Sequence, residues 1–413
     1  MSATEARPAS ALDAVTGLLD LRPAPAGAGH GVRYGLVAGR SGPRFLVPLD
    51  HPAAAPEACL AYLGLRDLRT RATRGAVGLA LKARLPQAVV RQELVADGGP
   101  GSLLAFLEDL LAEEGEPPGL AVAVGLGHLD DVWKPTLQVF RPDGRPAAFA
   151  KVGLGPAAAS LVATEAATLE QWGRHHDPRL VVPELLASTT WNGIPLVVVG
   201  PLPTDARRLP AAPTAWAVRE LDGPVARAAV GDAPWWTGRR SATIEPRVAG
   251  LLDRIEERHG ATGAAWARWH GDWVPWNLAR CHRGLVAWDW EYSEPGAPVG
   301  LDEVHGAYQQ AHVVEGASIA EALAVARRAA SALAAAGTSP AGPEELRARA
   351  GRADPSGPIG SAAWLADAHV AMLATRLDAL EALQERPAGH RAELLAAAEA
   401  ALDRSAELTG ARP

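Results

Sequence analysis

Apolar residues recur at helical spacing from Ala9 to Leu21, and two short apolar runs follow, Arg33 to Val37 and Arg44 to Leu49. Gly39, Ser41, Gly42 and Pro43 between the runs supply turn chemistry, so a hairpin is expected there. Helical periodicity returns from Pro52 to Leu63 and from Ser102 to Ala112. It stops at Glu113 to Gly119, where acids, two prolines and glycine mark an expected domain boundary.

Beyond that break the period becomes that of strands: Leu120 to Leu126, Thr136 to Phe140, Ala147 to Val152, Val181 to Ala187 and Ile194 to Val199, with one helix after the third. Five strands and a helix make a small α+β lobe. Pro142-Asp143-Gly144 reads as a turn, and Asn192-Gly193 suits a type I′ hairpin because both residues tolerate positive φ. After Pro203 the pattern is mostly helical, interrupted by a Trp-rich stretch from Trp266 to Trp290. Pro340 to Pro358, rich in Gly and Pro, reads as a connector. A strand-rich lobe followed by a helical one suggests a bilobal enzyme with a small ligand in the cleft.

Composition sharpens this. The 413 residues are 48% hydrophobic and 21% charged with a formal net charge of −7, which fits a folded globular chain and excludes collagen-like, disordered and disulfide-scaffold classes. A mildly acidic balance argues against a nucleic-acid partner. Cys59 and Cys281 match no metal-ligand spacing and suit a reducing compartment. No apolar run approaches the roughly 18 residues that span a bilayer, so no membrane association and a cytoplasmic location are expected. Of the 40 basic residues 37 are Arg; Lys stands only at Lys82, Lys134 and Lys151, and Asn only at Asn192 and Asn277. Residues so scarce raise the question of what Arg or Gln could not do at those positions.

The densest chemistry is His270-Gly271-Asp272 with Asn277, then Asp289-Trp290-Glu291. A three-residue loop at His282 to Gly284 would pair Cys281 with Leu285 and set Asn277 opposite Asp289 on a two-stranded ribbon. An amide oxygen and a carboxylate there suit Mg²⁺, and Asp272 could reach a substrate hydroxyl beside the metal.

This constellation resembles the catalytic and metal-binding motifs of the aminoglycoside phosphotransferase family, small-molecule kinases with a protein-kinase-like fold. The motifs cover roughly Leu120 to His312. The resemblance implies an α+β, bilobal fold with a five-stranded N-lobe bearing one main helix, a helical C-lobe, and here an extra N-terminal α/β cap-like region. It implies that Asp272 orients the acceptor hydroxyl and takes its proton late, while Asn277 and Asp289 hold Mg²⁺ on the phosphates of ATP or GTP. Positioning and charge neutralisation are what phosphoryl transfer demands.

The family also uses a lysine on the third strand, paired with a helix glutamate. Lys151 lies on the third expected strand. On the following helix Glu165 falls on the stripe of Leu161, Leu169 and Trp172 and Glu170 does not, so Glu165 is the expected partner and Glu170 a solvated residue. Two features depart from the fuller kinase pattern. Gly125-Leu126-Gly127-His128 is too short for a phosphate-cradling loop. Pro201 has no N–H, so Val199, Gly200 and Leu202 are the backbone candidates for a purine.

Several residues have plainer readings. His175-His176 complements a helix C-terminus, His270 anchors a loop, Glu291 ties the hairpin to neighbouring backbone, and Trp235, Trp236, Trp273, Trp276, Trp288 and Trp290 are core aromatics, with Trp273 or Trp276 able to touch a substrate. Asp302, Glu303, Asp367 and Asp378 are either an acceptor-cation site or a solvated helix face. The expected domains are 1–117, a cap-like region; 118–203, the N-lobe; and 204–413, the helical C-lobe. The expected activity is phosphoryl transfer to a hydroxyl of a sugar or aminoglycoside-like molecule; the alternative is a non-catalytic nucleotide-binding regulator or scaffold.

Overall fold

Among the residues that the computed structural model describes (10–24, 31–39, 42–127, 129, 132–174, 180–219, 221, 225–337, 360–384 and 391–409), nine strands join in one antiparallel sheet. They are β1 (Arg22–Pro23), β2 (Val32–Gly39), β3 (Gly42–Pro48), β4 (Val90–Ala96), β5 (Ala121–Gly125), β6 (Thr136–Phe140), β7 (Pro146–Val152) and, after the short β8 (Leu180–Val181) that lies in another sheet, β9 (Leu185–Trp191) and β10 (Ile194–Val199). The order across the sheet is β1-β4-β2-β3-β5-β6-β7-β10-β9.

The expected boundary at Glu113 to Gly119 falls inside this sheet. β3 pairs with β5, Phe45 opposite Gly125 and Leu46 opposite Val124. The reason is burial: Tyr34, Leu36, Leu46 and Leu94 share one apolar cluster with Val122, Leu137 and Val139, so the N-terminal strands have no separate core. The described strands before residue 117 therefore join the same sheet as the later ones, and that sheet has nine strands where five were expected. By its contacts the chain divides elsewhere, into a first unit of Met1–Arg174, Val181–Arg208 and Ala279–Ala287 and a second of His175–Leu180, Leu209–Leu278 and Trp288–Pro413.

Local chemistry accounts for several element ends. Ser10 and Ser102 accept from Asp13 N and Ala105 N and start the helices Ala11–Leu19 and Leu103–Glu113. Asn192 and Gly193, with φ of 48° and 79°, make the turn between β9 and β10. Among the elements that the sequence pattern did not announce in this part of the chain are β4 and the helix Leu68–Lys82. That helix carries three arginines and two glycines, which blur its periodicity. Gly78 has a packing reason: a Cβ would meet Leu60 Cγ at 2.5 Å.

The second unit holds a three-stranded sheet, β12 (Ala226–Ala229), β13 (Gly263–Trp269) and β16 (Glu294–Pro298), in the order β12-β13-β16. Around it are helices Pro246–His259, Leu301–Gln309, Ile319–Gly337, Ala362–Gln384 and Arg391–Thr409. In its core Trp364 packs against both Trp236 and Trp266, with ring centroids 5.8 Å apart in each pair. Helix Ala362–Gln384 is buried on nearly every side and encloses Asp367, His369 and Asp378 with its apolar residues. Pro340 to Pro358 and His175-His176 lie outside the described residues.

Candidate functional site

In the first unit, Lys151 on β7 faces the helix Pro156–Arg174. Its register is fixed from both sides, opposite Thr136 on β6 and Val197 on β10. Glu165 sits on the buried face of that helix with Val162, Ala166 and Leu169. Lys151 Nζ lies 2.7 and 2.6 Å from the two Glu165 oxygens, with side-chain exposures of 14% and 2%. A carboxylate so buried needs this partner, and the lysine is fixed by it. Glu170 is exposed and pairs with Arg174.

The three backbone candidates for a purine contact are not equivalent. Gly200 N–H donates to Glu184 O at 2.7 Å, so that donor is already committed. Leu202 O accepts from Tyr62 OH at 3.1 Å, and Val199 is paired within the sheet.

In the second unit, the loop His270–Asn277 is held by its own backbone. Asp302, at the start of helix Leu301–Gln309, accepts from His270 N and Gly271 N, each at 2.9 Å. Gly271 has φ +85°, and a Cβ there would collide with the Tyr292 backbone oxygen, so only glycine fits. His270 is fully buried; its Nδ1 accepts from Asp272 N at 3.2 Å, which puts the proton on Nε2 for the bond to Trp288 O at 3.1 Å. With both ring nitrogens engaged it is an anchor. Trp273 Nε1 donates to Pro213 O at 2.6 Å.

This loop aims Asp272 at Asn277, whose Nδ2 donates to Asp272 O at 3.1 Å and Oδ2 at 2.7 Å. The hairpin that follows differs from expectation. Its strands are β14 (Leu278–Cys281) and β15 (Gly284–Ala287), joined by two residues, His282 and Arg283. Trp288 N donates to Asn277 O at 3.2 Å, so Asn277 faces Trp288, one residue short of Asp289. A one-residue shift would normally turn Asp289 to the opposite face. Its φ of +70° breaks the alternation instead, and its charge acts on Asp272. Burial first, then Asp289, push the Asp272 carboxyl up to about 7, against the pull of Arg376 and of the Asn277 hydrogen bond.

Arg376 went unnoticed in the sequence. It lies on helix Ala362–Gln384, its guanidinium 4.1 Å from the Tyr292 ring centroid and 5.4 Å from that of Trp269, with Nη2 3.4 Å from Gly271 O. The available signal was charge inside an otherwise apolar helix. The four acids expected to form either an acceptor-cation site or a solvated helix face all have partners within the protein. Asp302 holds the loop, Glu303 pairs with Arg219 and caps Ala215 N, Asp367 binds His259 Nε2 at 3.0 Å, and Asp378 accepts from Ile244 N and Glu245 N.

No protein-family model matches the chain, and no curated protein sequence matches it. Solved structures similar to it include an aminoglycoside phosphotransferase in complex with ADP and hygromycin B, 11% identical with a TM-score of 0.42, the match covering 72% of this chain and 98% of that one. A type I macrolide 2′-phosphotransferase is 16% identical, with a TM-score of 0.36 and coverage of 72% and 96%. An amicoumacin kinase with AMP-PNP and Ca²⁺ is 10% identical, with a TM-score of 0.36 and coverage of 72% and 93%. At these identities the functional reading rests on the residues themselves.

Proposed function

We propose that the chain is a small-molecule kinase that transfers the γ-phosphoryl group of ATP or GTP to a hydroxyl of a sugar or aminoglycoside-like acceptor. The observation that carries this reading is Asp272, a carboxyl pushed to about 7, hydrogen-bonded to Asn277 and within the field of Asp289. A carboxyl poised near neutrality can accept a hydroxyl proton as it is lost. Asn277 orients it, so that the oxygen meeting the acceptor is fixed before the acceptor arrives.

Asn277 and Asp289 fit a hard divalent cation. Both donate oxygen, and the Asn277 amide nitrogen is turned to Asp272, which leaves the amide oxygen as the ligating atom. Mg²⁺ bound there would neutralise phosphate charge and fix the nucleotide's geometry. Lys151, held by Glu165, offers a compact ammonium to the nucleotide phosphates, and Val199 and Leu202 offer backbone to the base. On this reading residues 118–203 form the nucleotide lobe, with 1–117 extending its sheet, and 204–413 supply the catalytic loop and the acceptor contacts.

The test is ADP or GDP release from purified full-length protein with ATP or GTP, Mg²⁺ and a panel of sugars, amino sugars and aminoglycosides. Turnover on one acceptor class that disappears in Asp272→Ala supports the reading. Turnover unchanged in that variant sinks the assignment of the base, and nucleotide binding without turnover on any hydroxyl compound favours the regulatory alternative.

A further inference from the structure

The first unit holds a second group of ligating side chains, distinct from the residues assigned to the kinase reading. β11 (Arg207–Arg208) runs antiparallel to β14, with Arg207 opposite Arg280 and Arg208 opposite Ala279. Continued by two residues, that register sets Asp205 opposite His282. The side chains agree: His282 N and Nδ1 both lie 2.9 Å from Asp205 Oδ2. Cys281 completes the group, and one ligating atom from each of the three residues lies within 4.8 Å of the others.

Thiol, imidazole and carboxylate are the donor types of Zn²⁺, which binds sulfur and nitrogen at about 2.0–2.3 Å; Mg²⁺ and Ca²⁺ call for oxygen alone. Cys281 is buried, whereas the His282 side chain is 74% exposed and that of Asp205 43% exposed. The group is thus walled on the sulfur side and open to water on the other. The exposed Arg280 and Arg283 that flank it disfavour loosely held cations, which leaves affinity to direct metal–ligand bonds.

We propose that Asp205, Cys281 and His282 form a zinc site with water as fourth ligand, tying the end of β14 to the segment before β11. On binding, the thiol releases its proton to solvent, the His282 Nδ1 proton passes by way of solvent to Nε2, and Zn–N and Zn–O bonds replace the His282–Asp205 hydrogen bond. The proposal stands apart from the kinase reading, since the two share no residue.

The experiment uses the full chain stripped with chelator, then equilibrated with Zn²⁺ alone or Co²⁺ alone. Expected are one equivalent of bound zinc and a thiolate-to-cobalt charge-transfer band. Cys281→Ser removes the band, and Cys281→Ser, His282→Ala and Asp205→Asn each weaken zinc binding by at least the roughly 10–100-fold that loss of a mere supporting hydrogen bond causes. Asp289→Asn leaves zinc binding unchanged. His282→Ala and Asp205→Asn change exposed or half-exposed side chains, so they decide the matter even if Cys281→Ser fails to fold. Substoichiometric zinc, a cobalt complex without the band, zinc retained in all three variants, or zinc lost in Asp289→Asn would each overturn the site.

Discussion

Asn277 donates through one nitrogen to both the backbone oxygen and the carboxylate of Asp272, at 3.1 and 2.7 Å. That one side chain closes the loop, orients the carboxyl, and turns its own amide oxygen outward. An aspartate at 277 would set carboxylate against carboxylate, and a glutamine would carry the amide one methylene too far.

Asp272→Asn keeps the shape and removes proton acceptance. Its kcat on the best acceptor is expected to fall by about 10²–10⁴-fold, with nucleotide affinity within a few-fold of the parent. Steady-state kinetics beside nucleotide titration check this; equal losses in both would point to a damaged fold.

Asn277→Ala should cost both orientation and a metal ligand. Raising Mg²⁺ should restore part of its activity, whereas Asp272→Asn should not respond. A Mg²⁺ titration of initial rate for the two variants separates the roles.

Glu165→Ala removes the buried carboxylate that fixes the Lys151 ammonium. Breaking such a pair costs about 3–5 kcal/mol, so urea unfolding of the first unit should shift by that order. The double variant Lys151→Met/Glu165→Ala should recover part of the loss, since no unpaired charge remains, while activity stays low.

His305 and His369 are fully enclosed, with His305 Nδ1 3.2 Å from His369 Nε2. Burial, then Arg376, lowers both, His369 to about 3 from the ordinary 6.5. Folded, His369 stays neutral; unfolded, it takes a proton below pH 6.5. Its contribution is therefore complete above that pH and declines from 6.5 towards 3, at up to about 1.4 kcal/mol per pH unit. His369→Leu should flatten the pH dependence of the urea midpoint between pH 6.5 and 4.5, even if it lowers stability throughout. An unchanged slope would mean that His369 already protonates in the folded chain.

Asp302→Ala leaves the His270 and Gly271 N–H groups buried without their acceptor, at about 1–3 kcal/mol each. Asp302→Asn should recover roughly half of that loss, because one amide oxygen remains to accept. Thermal denaturation of the two variants gives the comparison.

Periodicity and local chemistry were enough for the sequence by itself to determine strands β6 and β10, the Asn192-Gly193 turn, and Lys151 on a strand with Glu165 on a buried helix stripe. Alternation, helical spacing and tolerance of positive φ act over a few residues, so they are legible along the chain. The tertiary structure decided the rest. β3 finds β5 nearly eighty residues on, because their apolar faces have no other core to enter. The hairpin after Asn277 is one residue tighter than its glycine suggested, and Asp289 follows it with a left-handed backbone, φ +70°, that no local pattern announced. Asp302 and Arg376 reach the His270–Asn277 loop from helices, 31 and 105 residues beyond Gly271. No local pattern encodes such contacts, since what selects them is the cost of leaving a buried N–H or charge without a partner, and that cost arises only once the fold has excluded water.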